Sequence, residues 1–505
     1  MKRTVSVFIL VFIMLSLSAG IPCAQNHQIK YDIDEALKKL RLIIIEEMEK
    51  WNVPGAAVVI VKDGQLIFAE GFGYGDIEKK QKVTKGTNFI LASVTKAFTS
   101  MVVGLLTEDG KLDWDKPVKE YFPGFKLSDK YIEEKITFKD MLTHRSGLPR
   151  HDYVWFNSPF TVEEITERLQ YLQFSAGLRE KYGYNNLMYM AAGYLAGKAA
   201  GTTWEKLVKN RIFKPLGMER SGCSVEELLR SDGYSLSYRE ENGRLTANEF
   251  PTPEYKVGYY PRASGSVYSN VEDMSKWMIM HLGKGMFKGK RFISQNIISQ
   301  MHSPQIVMPQ SPYLKSETMN RAYGMGWTIS NYRGHYSVSH TGGTMGYSTI
   351  VAMFPHENTG IIVLTNKGTP LPTLISLYAS DLLLDLEPIA WNERIKPSSR
   401  STAENNENEK KKSSKPPRPL AEYTGKYEHP AYGVIEIVIK ESKLFASFHG
   451  GEPSLLEHDV YNIFCDAEDN NFEFSFYIDP KGRITHLTVP FERAVDPIVF
   501  NKGGI

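Results

Sequence analysis

A long polar run divides this chain into two parts. Residues 396–418, KPSSRSTAENNENEKKKSSKPPR, contain no large apolar side chain. Because such a segment cannot bury enough apolar surface to offset the entropy lost on ordering, the run predicts a disordered linker. The chain is 505 residues long and 42% hydrophobic, which is enough for two or more domains. We therefore expect one folded domain on each side of the linker.

The longer part, residues 33–388, mixes helical and strand patterns. The apolar spacing of YDIDEALKKLRLIIIEEMEK predicts a helix, and GAAVVIVKDGQLIFAEGFG predicts two strands joined at Asp63-Gly64. The middle of the chain alternates helical patterns with loops rich in glycine and proline. Strand patterns return over residues 335–366, and a helix is predicted over residues 371–386.

The shorter part, residues 419–505, has only strand patterns. The segments YGVIEIVIKESKLFASFHG, NFEFSFYID and GRITHLTV alternate apolar and polar side chains between turns. This alternation predicts a small all-β domain.

The first residues have the layout of a secretory signal. A basic start is followed by an apolar run over residues 5–17 and then by small residues, so we expect a signal peptide over residues 1–24. The mature protein would then be secreted or periplasmic, without a stable membrane span. An uncleaved anchor is the alternative. Lipid attachment at Cys23 is disfavoured because Pro22 directly precedes it.

Charge and cysteine content exclude several classes of function. The chain has 60 basic and 58 acidic residues, a balance that gives no reason to expect nucleic-acid binding. Cys223 and Cys465, the two cysteines beyond the signal, lie too far apart in sequence to form a disulfide framework. The cysteines and histidines do not have zinc-ligand spacing, and we expect neither a metal nor a cofactor.

The segment FILASVTKAFTSMVVGLL places Ser93 three residues before Lys96 at the start of a predicted helix. Side chains at that spacing share a helix face, so the lysine amine could accept the serine proton if its pKa is lowered. In the alternative interpretation Ser93 caps the helix and Lys96 is solvated, although a cation in the first turn opposes the helix dipole.

A second candidate motif is Tyr184-x-Asn186, just before another predicted helix. A phenol beside a cation can be pulled toward phenolate and relay protons, and a carboxamide can hold both a lysine and a substrate amide. Alternatively, Asn185 or Asn186 only caps the helix. The chain has a second match, Tyr268-Ser269-Asn270, which we assign to structure because Asn270 precedes a capped helix start.

The third candidate motif follows the strand-like segment HYSVS. Here His340 and Thr341 precede Gly342 and Gly343. Glycines on a strand let a substrate backbone approach and leave backbone N–H groups free to bind an oxyanion. The alternative is a plain β-turn, because Gly-Gly is a common turn pair.

Together the three motifs resemble the serine β-lactamase and penicillin-binding-protein superfamily. The segments MLTHRSGLP, ASGSVYSNVEDMSKWM and YGMGW look like those of its relatives near class C β-lactamases, DD-carboxypeptidases, family S12 peptidases and some esterases. The resemblance covers residues 33–388. The tail, with YTGKYEHPAYGVIEI, is similar to the lipocalin-like barrel attached to some S12-type peptidases.

The resemblance implies an α/β (α+β) fold, in which an antiparallel sheet is flanked by helices and joined by a helical subdomain, followed by a small all-β barrel. It makes Ser93 the acylated nucleophile, Lys96 its base and Tyr184 the proton relay. It implies an oxyanion hole made by the N–H groups of Ser93 and Gly343. The substrate-binding set that it implies is Asn186, His340, Thr341, Gly342 and Gly343.

One residue departs from the superfamily pattern. Where β-lactamases usually have Lys-Thr-Gly, this chain has His340, an imidazole that is mostly neutral near pH 7.5 at its reference pKa. A strong β-lactamase is therefore disfavoured. We expect a serine hydrolase of peptides, amides or esters. The sequence leaves open an esterase, a penicillin-binding or sensing protein with little turnover, an inactive scaffold, and a homo-oligomer.

The linker assignment predicts where a protease acts first. Trypsin at low concentration should cut within residues 396–418, because exposed lysines and arginines there have nothing to pack against. The fragment ending near Pro388 should remain folded. Mass spectrometry of the first products measures the cleavage site, and resistance of this run would contradict the two-domain division.

Overall fold

The computed structural model describes residues 32–248, 262–311, 313–314, 316–396, 415–467 and 472–503. The predicted signal peptide and most of the predicted linker lie outside the described residues. The domain boundaries therefore stay predictions.

The described helices follow one another in chain order. They are α1 (Ile33–Lys50), α2 (Thr95–Glu108), α3 (Val118–Tyr121), α4 (Lys130–Lys135), α5 (Phe138–Leu142), α6 (Val162–Arg168), α7 (Asn186–Ala199), α8 (Trp204–Val208), α9 (Lys214–Leu216), α10 (Val225–Arg230), α11 (Arg262–Gly265), α12 (Val271–Leu282), α13 (Gln295–Met301), α14 (Leu371–Leu383), α15 (Trp391–Arg394) and α16 (Leu420–Tyr423).

The strands form one large sheet, one barrel and several short ribbons. Those before the linker are β1 (Gly55–Lys62), β2 (Gln65–Asp76), β3 (Gln81–Lys82), β4 (Phe89–Ile90), β5 (Tyr238–Glu241), β6 (Arg244–Ala247), β7 (Tyr268–Ser269), β8 (Met286–Phe287), β9 (Lys290–Arg291), β10 (Ile306–Val307), β11 (Thr318–Tyr323), β12 (Thr328–Tyr332), β13 (His335–Thr344), β14 (Tyr347–Phe354) and β15 (Thr359–Thr365). Those after it are β16 (Gly425–His429), β17 (Gly433–Lys440), β18 (Lys443–Phe448), β19 (Ser454–Val460), β20 (Ile463–Asp466), β21 (Glu473–Ile478), β22 (Ile484–Val489) and β23 (Ile498–Lys502).

The large sheet is antiparallel and has nine strands, in the order β10-β11-β12-β13-β14-β15-β1-β2-β3. The predicted hairpin at Asp63-Gly64 is present between β1 and β2. Both turn residues have positive φ, 51° and 73°, the backbone geometry that a two-residue hairpin turn requires. The predicted helices at both ends of this part are α1 and α14.

Strand β1 is buried on both faces and shows why the sheet has helices on each side. Alternate residues point to opposite faces of a strand. Ala57, Val59 and Val61 belong to one apolar core, whereas Val58 and Ile60 belong to the other. The second core is closed by α1 and α14, and the first is closed by α2, α7, α12 and shorter helices. The three layers therefore put α12 against one face of the sheet and α14 against the other.

The part after the linker is a closed barrel of eight antiparallel strands, β16 to β23 in chain order. Pairing of β16 with β23 closes it, so no strand of the barrel has a free edge. Aromatic side chains fill much of its interior, including Tyr423, Tyr427, Phe464 and Phe476. The predicted architecture, an antiparallel sheet flanked by helices and followed by a small all-β barrel, is confirmed.

A search of the described residues for a helix that is both long enough and apolar enough to cross a bilayer finds no candidate.

The apolar core between the sheet and helices α1 and α14 predicts that two substitutions in the first hairpin differ in their effect on stability. Ile60→Ala should lower the free energy of unfolding by about 2 to 5 kcal/mol. Ile60 of β1 has no exposed surface and lies in the core that α1 and α14 close. Leu66→Ala should cost less than about 0.5 kcal/mol, because Leu66 is 43% exposed.

Urea unfolding followed by tryptophan fluorescence measures this difference. All seven tryptophans precede the predicted linker, so the signal reports only the first part of the chain. Equal unfolding midpoints for the two variants would contradict the assignment of Ile60 to the core.

Candidate active site

The chain reaches Ser93 through a sharp turn at the end of β4. Leu91 is anchored by its N–H, which donates to the carbonyl of Val267 at 2.8 Å. Ala92 then takes a left-handed conformation with φ of 49°, which a residue with a Cβ adopts at a cost on the order of 1 kcal/mol. A short 3₁₀ turn, Ala92–Val94, leads directly into α2. Ser93 is partly exposed between buried neighbours, so a substrate can reach its hydroxyl.

Lys96 lies in the first turn of α2 and has no exposed surface. Its Nζ is 3.2 Å from Ser93 Oγ, 2.8 Å from Asn186 Oδ1 and 2.9 Å from the carbonyl oxygen of Ser264. Burial lowers the pKa of Lys96 well below its usual range, and the nearby Arg150 guanidinium lowers it further. The predicted contact between the two motif residues is present, and the alternative of a solvated Lys96 does not hold.

Because burial lowers the pKa of Lys96, we assign its three contacts for a neutral amine. An uncharged amine has two N–H donors and one lone pair. The oxygens of Asn186 and Ser264 can only accept, so they take both donors. The lone pair then faces Ser93 Oγ, whose proton it can accept. The arrangement holds Lys96 in the form that a general base needs.

The phenol of Tyr184 is a second partner of Ser93, beside Lys96. Its O–H donates to Ser93 Oγ at 2.8 Å. Burial raises the pKa of Tyr184 to about 12, which opposes the pull toward phenolate that we expected from the sequence. The expectation assumed a cationic Lys96, whereas the buried amine is neutral. Tyr184 is therefore a protonated phenol in the resting site.

Asn185 and Asn186 have different roles: one caps the helix and the other binds Lys96. Asn185 caps α7, because its Oδ1 accepts from the N–H of Met188 at 2.8 Å. Asn186 is the first residue of the helix and binds Lys96 instead. Its amide is oriented by Asp152, whose Oδ1 accepts from Asn186 Nδ2 at 3.2 Å. The cap thus fixes the helix start from which Asn186 reaches the lysine.

The second Tyr-x-Asn match lies elsewhere in the fold. Tyr268 is in β7, paired with Ile90. Asn270 caps α12, because its side chain accepts from the N–H of Asp273 at 2.9 Å. Tyr268 and Asn270 therefore contribute a strand pair and a helix cap, as the sequence pattern indicated.

Strand β13 passes beside the serine. A Cβ at Gly342 would overlap the carbonyl oxygen of Leu91, so only glycine permits this close approach. A Cβ at Gly343 would meet nothing within 4 Å, and Thr341 is exposed. The motif is therefore a strand rather than the plain turn that was the alternative, and it leaves open space next to Ser93.

His340 lies on the same strand but is buried. Its Nδ1 is 2.6 Å from the carbonyl oxygen of Thr341 and its Nε2 is 2.9 Å from the hydroxyl of Tyr323. Because a carbonyl only accepts, Nδ1 carries the proton and Nε2 accepts from Tyr323. Burial lowers the pKa of His340 to about 3. The imidazole is thus neutral with both nitrogens occupied, a geometry that disfavours the pairing of a protonated His340 with a substrate carboxylate.

Four residues of the site were not assigned roles from the sequence. Ser264 supplies a backbone carbonyl, which carries no side-chain signal. Tyr323 holds His340, and its segment YGMGW could have drawn attention. Asp152 and Arg150 follow the segment HRSGLP, where a charged pair in a loop has no periodicity to mark it.

His144, in the segment MLTHRSGLP, is buried beside the site. Its Nδ1 accepts from the N–H of Asn185 at 3.1 Å, and its carbonyl accepts from Gly183 at 2.8 Å. Burial lowers the pKa of His144 well below its usual range, so the ring is neutral. These bonds hold the segment that carries Tyr184.

Within the described ranges, histidine, cysteine, aspartate and glutamate side chains do not gather in any group of three that could hold a metal ion.

A family model described as Beta-lactamase matches residues 40–385, and a second model, described as a domain of unknown function, DUF3471, matches residues 409–502. The chain belongs to the beta-lactamase family.

Two relatives of this beta-lactamase-family chain extend the likeness. Unguisins hydrolase ungD' of Aspergillus campestris is 29% identical over 499 residues, covering 91% of this chain and 86% of its own. Protein flp of Staphylococcus aureus is 25% identical over 350 residues, covering 68% of this chain and 65% of its own. The first likeness therefore includes the barrel as well as the sheet.

A solved structure also matches over both parts of this family member. The octameric penicillin-binding protein homologue from Pyrococcus abyssi superposes with a TM-score of 0.62 at 25% sequence identity. The match covers 92% of this chain and 100% of that chain. The resemblance to the penicillin-binding-protein superfamily is thereby confirmed.

The protonation states predict the pH dependence of activity. We expect kcat/KM to stay high well below pH ~10 and to fall only when acid protonates Lys96, because burial lowers the pKa of that amine. KM should be flat between about pH 5 and pH 8 for a carboxylated substrate and for its neutral counterpart, because His340 is already neutral above about 3.

Steady-state kinetics on such a matched pair of substrates measures both effects. An activity loss centred near the ordinary lysine pKa of about 10.4 would contradict a neutral Lys96. A KM that rises through about pH 6.5 for the carboxylated substrate alone would contradict the neutral His340.

Proposed function

We propose that this protein is a secreted serine hydrolase that forms an acyl-enzyme at Ser93 and releases the acyl group to water. Its substrates are peptides, amides or esters, as in S12-type peptidases. The observation that carries the proposal is the position of Ser93 Oγ, which lies 3.2 Å from the neutral amine of Lys96 and 2.8 Å from the hydroxyl of Tyr184. A nucleophile between a base and an acid is the arrangement that acyl transfer needs.

Acylation starts with the proton of Ser93. Lys96 Nζ accepts that proton while Ser93 Oγ attacks the carbonyl carbon of the substrate. The negative charge that develops on the carbonyl oxygen is stabilised by the N–H groups of Ser93 and Gly343, each worth on the order of 3 kcal/mol of the barrier. Gly343 suits this role because it borders open space on a strand next to the serine.

The leaving group takes its proton from Tyr184. As the carbon–nitrogen or carbon–oxygen bond breaks, the Tyr184 hydroxyl protonates the departing amine or alcohol. The proton held on Lys96 restores the phenol, whose ring centroid lies 4.7 Å from Nζ. Water then enters and attacks the acyl carbon while Lys96 Nζ accepts one of its protons. As the ester bond breaks, that proton passes to Ser93 Oγ, so the free hydroxyl and the neutral amine are restored. Both half-reactions therefore use Lys96 as the base.

The neutral interior of the site bears on the substrate class. His340 supplies no cation for a carboxylate, so we infer that the edge formed by Thr341 and Gly343 binds the substrate through backbone groups and shape. This supports peptides, amides or esters over penicillins as substrates. The unguisins hydrolase, similar over most of its length, supports hydrolysis as the reaction type.

A penicillin-binding or sensing protein with little turnover is the second candidate. The likeness to a penicillin-binding protein homologue favours it. That homologue is octameric, which supports a homo-oligomer here as well. Secretion rests on the signal-like residues 1–24, which lie outside the described residues.

The proposal predicts that Ser93→Ala abolishes both labelling by a fluorophosphonate and hydrolysis. The hydroxyl is the only proposed acyl acceptor, and the variant should still fold because a serine at a helix start contributes only about 1 kcal/mol. Tyr268→Phe is the control: it changes the second Tyr-x-Asn match, which contributes to structure, and should retain near wild-type activity.

Intact mass and peptide mapping locate the label, and turnover of an amide and an ester with the same acyl group measures the reaction. Hydrolysis that survives in Ser93→Ala would exclude the mechanism. Labelling of Ser93 with a stable acyl-enzyme and negligible turnover of both substrates would favour the sensing protein.

A further inference from the structure

The barrel touches the first part of the chain at the segment that borders the active site. Arg168 of α6 donates to the carbonyl oxygens of Pro430 and Ala431, in the turn between β16 and β17. The next residue of that turn, Tyr432, reaches His151. The contact is therefore made a few residues from Asp152, which orients Asn186.

His151 is held in part by the barrel. It is fully buried and takes a left-handed conformation with φ of 45°, which costs energy for a residue with a Cβ. Its N–H donates to Glu492 Oε2 at 3.0 Å, and its Nδ1 lies 2.6 Å from the hydroxyl of Tyr432. Its Nε2 lies 2.8 Å from the carbonyl oxygen of Gln173.

The carbonyl of Gln173 fixes the tautomer of the ring. A carbonyl only accepts, so Nε2 of His151 carries the proton and Nδ1 accepts from Tyr432. Burial lowers the pKa of His151, which agrees with a neutral ring. The carbonyl of His151 also accepts from the N–H of Val154 at 3.0 Å. Two of the four polar contacts of this strained residue thus come from the barrel, from Tyr432 and Glu492.

The residues on both sides of His151 belong to the active site. Asp152 Oδ1 accepts from Asn186 Nδ2 at 3.2 Å and from Trp155 Nε1 at 2.8 Å, while its Oδ2 accepts from Arg150 Nε at 2.5 Å. The guanidinium of Arg150 lies 5.3 Å from the centroid of the Tyr184 ring. A shift of His151 would therefore move both a hydrogen-bond partner of Asn186 and a charge beside Tyr184.

A stack of aromatic rings fixes the same segment from a second direction. The Tyr153 ring stacks on Phe491 of the barrel at 4.6 Å between centroids and 21° between planes. Its edge contacts are with Phe472 at 5.3 Å and Phe448 at 6.3 Å. Such pairs favour one orientation, so the segment after Asp152 is also set by the barrel.

We propose that the barrel is a positioning domain for the active site. Through Tyr432 and Glu492 it holds His151 so that Asp152 keeps the amide oxygen of Asn186 on Lys96. Tyr432 is a positioning residue and does not touch the reacting atoms. This inference rests on the proposed hydrolysis at Ser93.

The test is Tyr432→Phe in the full chain. The variant keeps the ring and loses only the hydroxyl that donates to His151, so we expect kcat to fall about tenfold while KM stays within about twofold. Tyr427→Phe is the matched control. It removes a hydroxyl that is also buried in the barrel but donates at 2.8 Å to the carbonyl of Tyr423, within the barrel itself. Its kcat should match that of the wild type.

A double-mutant cycle with Asp152→Asn tests the route of the effect. If Tyr432 acts through Asp152, the double variant should have the kcat of Asp152→Asn alone, because the orienting contact is already weakened. Losses that multiply would overturn the proposed route. An unchanged kcat in Tyr432→Phe, or an equal loss in Tyr427→Phe, would overturn the positioning role.

Failure of this inference can be told from failure of the proposed function. Fluorophosphonate labelling of Ser93 in the wild-type protein, with turnover, establishes the hydrolase. A labelled, active wild type together with a fully active Tyr432→Phe would then exclude the positioning role alone. A wild type that is neither labelled at Ser93 nor active would exclude the proposed function first.

Discussion

The buried amine of Lys96 is the interaction on which the rest of the site depends. Taking an ammonium out of solvent would cost several kcal/mol, and burial lowers the pKa of Lys96, although the nearby Asp152 carboxylate opposes that shift. This favours a neutral amine there. The amine is satisfied from three directions: the 3₁₀ turn before α2 carries Ser93, α7 brings Asn186, and α11 turns the carbonyl of Ser264 inward. Helix packing therefore determines the protonation state of the base.

The sheet contributes to the site through one close approach. Gly342 lets β13 lie against Leu91, and any side chain there would push the strand away from the serine. Residues 335–339 of β13 pair with β12, whereas Gly342 pairs only with Thr349 of β14. The end of the strand beside the serine is therefore positioned by β14 on one side and leaves its other edge unpaired by β12.

The substitution of a histidine for the usual lysine changes the electrostatics more than the geometry. In this chain the imidazole of His340 is hydrogen-bonded to Tyr323 and to the carbonyl of Thr341. The positive charge of Arg150 lies over the Tyr184 ring and pairs with Asp152. Binding of a substrate beside His340 then depends on backbone groups and shape. The barrel contacts His151, the residue between Arg150 and Asp152.

The sequence by itself determined many of the helices and strands of this protein and the three motifs of its candidate active site. Period-two and helical patterns located α1, the β1–β2 hairpin, β13 to β15 and the barrel strands, because those elements bury one or two regular faces. Ser93, Lys96, Tyr184 and Asn186 could be named because a helix start or a short motif brings each pair together locally. Gly342 and Gly343 also indicated that the strand β13 allows a close approach at the site.

Only the tertiary structure decided the protonation states and the long-range partners. The neutral forms of Lys96 and His340 follow from burial among residues far away in sequence, and no local pattern encodes burial of that kind. Ser264 acts through its backbone, which every residue has. Tyr432 reaches His151 from the barrel, and Asp152 binds Asn186 from a segment 34 residues earlier in the chain. Those contacts depend on three-dimensional proximity, which sequence spacing does not fix.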